Sequence, residues 1–329
     1  VGTDILKDVV RKMRQEIVKY GGEVHFRTAL TGVSVKNGVL SGVRADGMDI
    51  PCERAVLAVG HSARDTFFAL HENGVYFEPK AFSVGVRIEH LQRDIDRALY
   101  GKYAGHPLLP PAEYNLSRRA DGRACYSFCM CPGGVVVAAQ SEEKTVVING
   151  MSYHARSGDN ANAALAVSVD PADFDNGTPF GGVVLQREIE HAAYAQTGSY
   201  RAPCQRVGDF LADRPTRKPG EVRPTYPVGV EYGRAAASLP DFAQKMLRDS
   251  LPYFGRKIRG YDSADALLTG PETRTSSPVR MKRGEDLFGL GVAGLIPCGE
   301  GAGYAGGIMS AAVDGIRAAF RIMEEFAQL

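Results

Sequence analysis

The chain contains no tryptophan, no CxxC pair and no apolar run of the length a bilayer demands. Near the C-terminus the longest stretch free of Asp, Glu, Lys and Arg, residues 301–313, is short and glycine-rich, whereas a spanning helix needs ~20 apolar residues. A surplus of positive charge is also lacking. Lys and Arg number 39 against 38 for Asp and Glu, so nothing drives counterion release from a nucleic-acid backbone, and nucleic acid is not the expected partner. Six cysteines (Cys52, Cys125, Cys129, Cys131, Cys204 and Cys298) in 329 residues are too sparse for a disulfide scaffold and fit a reducing, cytoplasmic setting. With 44% hydrophobic and 23% charged residues, disorder is excluded and about two domains are expected. Glycine is abundant instead: 38 residues, against a usual ~7%, so many backbone positions need a positive φ or a close approach.

Residues 4–20 carry Ile5, Leu6, Val9, Val10, Met13 and Ile17 at helical spacing, with Thr3 or Asp4 able to cap the start and Gly21-Gly22 to stop it. Short strands are expected at 24–26, 30–35, 39–43 and 54–59, separated by Asn37-Gly38 and Asp46-Gly47 turns. The run Ala55 to Gly60 is apolar on both faces, as in a parallel strand covered on each side. Beyond a helix at 63–72, strands are expected at 75–77 and 82–88, a hairpin about Pro132-Gly133-Gly134 and a strand at 145–148. Helices follow at 182–194 and 239–247, with a proline-rich, charged loop or lid at 213–227. A strand at 295–298, a glycine loop and a helix at 305–326 with Ile308, Ala312, Ile316, Ala319, Met323 and Phe326 in register close the chain.

Two GxGxxG patterns lie close together. Gly289 to Gly294 leads into a strand and reads as a plain loop, because its amides have no helix N-terminus to join. Gly301 to Gly306 follows a strand and opens a helix, so backbone N–H groups and a helix dipole converge there on an anion or an electron-rich ring edge. The second strand and acidic residue of a dinucleotide βαβ do not follow it, which excludes the first unit of a Rossmann domain. Glu300 can accept hydrogen bonds from ligand hydroxyls, and Gly301, Gly303, Gly306 and Gly307 let backbone approach a flat ring; a tight turn with a solvated Glu is the alternative.

The segments 60–66, 85–90, 126–134, 272–280 and 299–314 resemble bacterial FAD-dependent dehydrogenases built on the glutathione-reductase type of FAD fold. The resemblance covers nearly the whole chain. It implies an α/β fold, α+β overall: the remnant of an FAD-binding Rossmann-like domain at 1–77 and 278–329, with a large inserted mixed β/α substrate domain at 78–277. It further implies cofactor contacts from Thr28, Ala29 and Leu30 at the adenine, from Ala58, Gly60 and His61 beneath the FAD, and from Gly299, Glu300, Gly301, Gly303, Gly306, Gly307 and Ile308 at the ribityl chain and flavin edge. The chemistry implied is hydride transfer through flavin N5, with NAD(P)H as a conceivable electron donor and an unidentified small-molecule substrate. The family's opening strand, GxGxxG turn and helix have no counterpart before Asp4, so the chain is expected to be a fragment that binds FAD weakly or not at all and is itself inactive.

For catalytic work the candidates are Arg274, Tyr304, Cys129 and Cys131, each also readable as structural. Arg274 can hold a carboxylate or steady negative charge on reduced flavin, and Tyr304 can stack or donate a proton. In an extended strand Cys129 and Cys131 share a face, and with Cys125 they lack a fourth ligand for a metal. Arg87 and Glu89 share one strand face and can line a pocket or pair together. A second reading is a flavin-containing RNA-modification or scaffold protein that docks through the middle domain, with Arg214, Arg217, Lys218 and Arg223 as a phosphate-binding patch.

Overall fold

The computed structural model describes residues 2–327 and mixes helices and sheets. Along the chain run α1 (Thr3–Lys19), β1 (Leu30–Lys36), β2 (Val39–Ala45), β3 (Met48–Pro51), β4 (Ala55–Leu57), α2 (Arg64–Glu72), β5 (Phe77–Pro79), β6 (Phe82–Leu91), α3 (Gln92–Tyr100), β7 (Ser117–Ala120), β8 (Arg123–Cys131), β9 (Val135–Ala138), β10 (Ile148–Met151) and β11 (Asn160–Val169). There follow α4 (Gly181–Thr197), β12 (Ala202–Arg206), α5 (Val207–Leu211), β13 (Val230–Tyr232), α6 (Asp241–Gly255), β14 (Leu267–Glu272), β15 (Val279–Met281), β16 (Leu295–Pro297) and α7 (Ile308–Phe326). These elements form two units. The larger comprises Val1–Glu23, Ser83–Val169 and Gln186–Thr273; the smaller comprises Val24–Phe82, Asp170–Leu185 and Arg274–Leu329. Compared with boundaries at 78 and 277, this division groups α1 with the larger unit and residues 170–185 with the smaller.

The larger unit is built on a seven-stranded sheet in the order β13-β12-β14-β6-β11-β8-β7. β12 runs parallel to β13 and antiparallel to β14, and β8 is antiparallel to both β11 and β7. β6 and β11 are buried along almost their whole length, as strands covered on both faces are, and their polar residues Ser83, Arg87, Glu89, His90, Asn160 and Asn162 are buried with them. Helix α6 turns Ala243, Met246, Leu247, Ser250, Leu251 and Phe254 inward, a periodic stripe, and packs on β8 and β11. The hairpin expected about Pro132-Gly133-Gly134 does not form. Instead β8 stays in the large sheet while β9 pairs with β10 in a separate ribbon. The glycine turn is diverted because the Gly133 N–H donates to Gln92 Oε1 at 2.9 Å and the Gly134 N–H to the Asn160 carbonyl.

One charge lies at the middle of this sheet. Arg87 on β6 has no solvent exposure, and its guanidinium forms a bidentate pair with Glu272 on β14, both contacts at 2.7 Å. Arg87 therefore pairs with Glu272, while Glu89 takes other partners.

The smaller unit holds the β1-β2-β3 meander, a β5–β15 pair and a parallel β4–β16 pair. Leu57, Phe67, Leu70, Phe77, Val279 and Leu295 are among its core residues. The strand expected at 24–26 is irregular, since Arg27 at φ +57° cannot continue an extended run. In α1 the N-cap is Gly2, with no side-chain cap; Asp4 instead accepts the His154 N–H at 2.9 Å. Its apolar residues Val10, Met13 and Ile17 are exposed. Helix α7 also departs from expectation: Ile308, Ile316, Met323 and Phe326 face outward, and the buried residues are Asp314 and Ala318. Val56 on β4 is exposed too, so this parallel strand is covered on one face only. No helix among the described residues is long and apolar enough to cross a membrane.

Replacing Arg87 with Ala strands the Glu272 carboxylate, and urea melts are expected to show a loss of about 3–5 kcal/mol. Arg93→Ala removes an exposed pair with Glu221 and should cost less than about 1 kcal/mol. Equal losses in the two variants would contradict the burial argument.

Candidate functional site

In the smaller unit the parallel strands β4 and β16 end side by side, and past their carboxyl ends come Gly60-His61 and Gly299-Glu300. Ligands of open α/β sheets bind at such ends. Gly60 and Gly299 adopt φ of +74° and +77°, and the chain then turns through Gly303 at φ +86° into α7. The glycines of this turn serve two different purposes. A Cβ on Gly301 would stand 2.4 Å from the Gly60 carbonyl oxygen, and one on Gly303 would stand 2.9 Å from that of Val279, so both are required by the turn's own packing. At Gly60, past the end of β4, and at Gly306 and Gly307 a Cβ would meet nothing within 4 Å; the last two border open space at the start of α7, where the first N–H groups have no intrahelical acceptor.

Glu300 is half-buried in this turn, with Oε1 3.7 Å from His61 Nε2. Burial pushes its carboxyl above the ordinary range, and the positive charge of Lys80 acts against that. Lys80 moves the other way, lowered first by burial and then by Arg280. Behind the turn is a rigid clamp that sequence reasoning missed. Arg283 forms a bidentate pair with buried Asp314, and Asp314 Oδ2 accepts the Gly299 N–H at 2.8 Å. Tyr304 lies against Arg283, whose guanidinium carbon is 3.8 Å from the ring centroid, and its hydroxyl oxygen accepts the Arg283 N–H. Tyr304 is thus part of the clamp. Arg274 is buried in the same unit and donates to Ser62 Oγ at 3.0 Å.

The remaining implied cofactor residues are spread over the unit. Thr28, Ala29 and Leu30 sit at the start of the meander, where the Ala29 N–H donates to Asp46 Oδ1 and Leu30 pairs with Ala45. Ala58 is exposed just beyond β4. Ile308 opens α7 with its side chain exposed. The GxGxxG at 289–294 lies in a loop of isolated bridges before β16, as the sequence indicates.

The larger unit contains a cavity of about 590 Å³ that no motif announced. Gln92, Asn160, Arg223 and Thr225 are among the residues lining it. Two of these, Asn160 Nδ2 and Thr225 Oγ1, donate to the buried Glu89 carboxylate at 3.0 and 2.6 Å, and burial pushes this carboxyl upward. The 213–227 loop supplies Glu221, Arg223, Pro224 and Thr225 to the cavity wall. Arg214 of the basic patch is paired with Asp209 at 2.7 Å, which neutralises part of any phosphate-binding surface.

Gly301→Ala is expected to lower stability by about 1–3 kcal/mol through overpacking against Gly60, whereas Gly306→Ala should leave the melting temperature unchanged or slightly raised. Calorimetric melts of the two variants check this, and a destabilised Gly306→Ala would mean that the turn is not open there.

Residues 81–275 match the family described as FAD-dependent protein, C-terminal domain-like. A protein of Clostridium beijerinckii, described as uncharacterised, is 50% identical over 329 residues, which is 99% of this chain and 62% of that protein. The chain therefore spans about three-fifths of that relative's length.

Proposed function

The chain belongs to the FAD-dependent protein family through its C-terminal-domain-like region, and from that premise we propose that the intact protein is an FAD-dependent oxidoreductase acting on a small molecule. The observation that carries this reading is the open glycine turn before α7, with half-buried Glu300 beside it. In this reading the smaller unit belongs to a Rossmann-like FAD domain. The residues present fit such a cofactor: Gly60, Gly306 and Gly307 leave room for a flat ring, the first turn of α7 offers unpaired donors, and Glu300 offers an acceptor for ribityl hydroxyls. Bound FAD supplies a two-electron acceptor at N5, which no side chain provides.

The protein's own part is to hold and tune. The clamp of Asp314, Arg283 and Tyr304 fixes the Gly299 amide and hence the turn. Lys80 and Arg280 keep positive potential near Glu300, which favours an electron-rich ligand edge. In this reading Arg274, buried in the same unit, steadies negative charge on the reduced cofactor. The larger unit, with its 590 Å³ cavity and buried Glu89, is the substrate domain in this account.

The test is an FAD titration of the intact protein, followed by flavin fluorescence, with Gly306→Leu and Glu300→Gln variants of confirmed fold. Gly306→Leu fills the open space and should weaken FAD binding at least about tenfold, or ~1.4 kcal/mol, with a smaller loss for Glu300→Gln. Unchanged affinity in both variants would place the flavin elsewhere.

A further inference from the structure

Five charged residues line the 590 Å³ cavity of the larger unit, and three of them are committed to other protein groups. Arg93 on α3 pairs with Glu221 of the 213–227 loop, while Asp96 Oδ1 accepts from Gln92 Nε2 and from the Ala112 N–H, each at 2.8 Å. Asp159 and Arg223 are the exceptions. Both are exposed, and among the described residues neither the carboxylate nor the guanidinium makes a hydrogen bond or an ion pair. The wall therefore offers one free anion and one free cation. Their backbones are nonetheless held: the Asp159 carbonyl accepts the Gln92 N–H at the start of α3, and the Arg223 carbonyl accepts Asn160 Nδ2, both at 2.8 Å. Pro224 restricts Arg223 further, since the residue before a proline is kept extended.

Asn160 joins the two. It opens β11, is 3% exposed, and spends its Nδ2 donors on the Arg223 carbonyl and, at 3.0 Å, on the buried Glu89 carboxylate. Two acceptors at Nδ2 fix which way the amide points. Its Oδ1 accepts no hydrogen bond among the described residues, yet it is not one of the sealed unpaired atoms, so it is open toward the cavity that Asn160 lines. An acceptor on a buried side chain costs free energy unless a donor fills it.

A waiting acceptor beside a free carboxylate is a subsite for an ammonium group. The free guanidinium of Arg223 is a subsite for a carboxylate, which it can hold through two parallel N–H donors. Leu91, Val135 and Pro224 supply an apolar stretch of the same wall, and Gly134 and Gly158 leave it bare of side chains. By contrast the cavity of about 430 Å³ beside β8 presents a single thiol, Cys129, because Cys131 is buried with its Sγ against the Cys129 carbonyl.

We propose that the 590 Å³ cavity binds zwitterionic α-amino acids with an apolar side chain: the ammonium on Asn160 Oδ1 and Asp159, the carboxylate on Arg223, and the side chain against Leu91, Val135 and Pro224. The volume lies within the several hundred Å³ of small-molecule sites. Glu89 is a positioning residue, since it holds the Asn160 amide and, through Thr225 Oγ1 at 2.6 Å, the segment that carries Arg223. As a statement about the substrate this rests on the reading of the larger unit as the substrate domain. The binding itself uses no flavin, and every residue named lies in the larger unit.

The test is calorimetric titration of the full chain, without FAD, with L-leucine, L-methionine and L-phenylalanine, and then with the N-acetyl and amide forms of whichever binds. At least one free amino acid should bind, and each blocked form should bind at least about tenfold more weakly, because each lacks one charge-assisted contact. Exposed Asp159 and Arg223 can be changed without disturbing the core. Asp159→Asn should weaken the free amino acid about tenfold and leave the N-acetyl form unchanged; Arg223→Gln should weaken it about as much and leave the amide unchanged. No binding of any of the three amino acids overturns the proposal, as does an N-acetyl form that binds as tightly as the free acid, or an affinity unchanged in either variant. Amino-acid binding by a protein that takes up no flavin would retain the site and remove only its link to the oxidoreductase reading.

Discussion

The guanidinium of Arg87 is the constraint on which the larger unit depends. It is a permanent charge with no access to water, and burying it is tolerable only because every face of the group finds an acceptor. Glu272 takes one edge, Asn162 and the Cys129 carbonyl share Nη1, and Asn149 accepts from Nη2 at 3.2 Å. These partners come from β14, β11, β8 and β10, so one side chain fixes the register of strands from two different sheets. Gly150 shows how closely the backbone is drawn in, since a Cβ there would lie 2.1 Å from Nη1. The bulge at Cys129 brings its carbonyl to Nη1 at 3.1 Å, one more acceptor for the guanidinium.

The smaller unit solves a different problem with a similar device. A glycine-rich turn is conformationally loose by nature, and a ligand site needs the opposite. Asp314 reaches from α7 to the Gly299 amide while Arg283 pins Asp314 and stacks on Tyr304. The turn is held from behind, and its Gly306–Gly307 side is left open. Rigid support on one side and empty space on the other is the arrangement a flat cofactor edge requires.

Much of this was legible in the sequence, for reasons that can be named. The β1–β2–β3 meander follows from its Asn-Gly and Asp-Gly turns, and the parallel pairing of β4 with β16 agrees with the apolar run at 55–60. The strand–glycine turn–helix order at 295–326 was readable because strand, glycine and helix signals occur in sequence without overlap. Long-range partners were not readable. Arg87 and Glu89 stood out as charges in an apolar strand, but Glu272 is 185 residues away from Arg87 and Thr225 is 136 away from Glu89. The Pro132-Gly133-Gly134 signal fitted a hairpin locally and was overridden by Gln92 and Asn160. Helical periodicity in α7 gave the helix but not its inward face, because burial there is decided by the Asp314 clamp rather than by the apolar stripe. Asp314 and Arg283 carry no local signal, since each is an ordinary charged residue until the other is brought to it.

The most direct test of the flavoprotein account is the visible absorption spectrum of the intact protein, purified without added cofactor and again after incubation with FAD. The account predicts the two flavin bands in at least the reconstituted sample, and their bleaching by a reducing substrate. A spectrum that stays empty after incubation with FAD would contradict it.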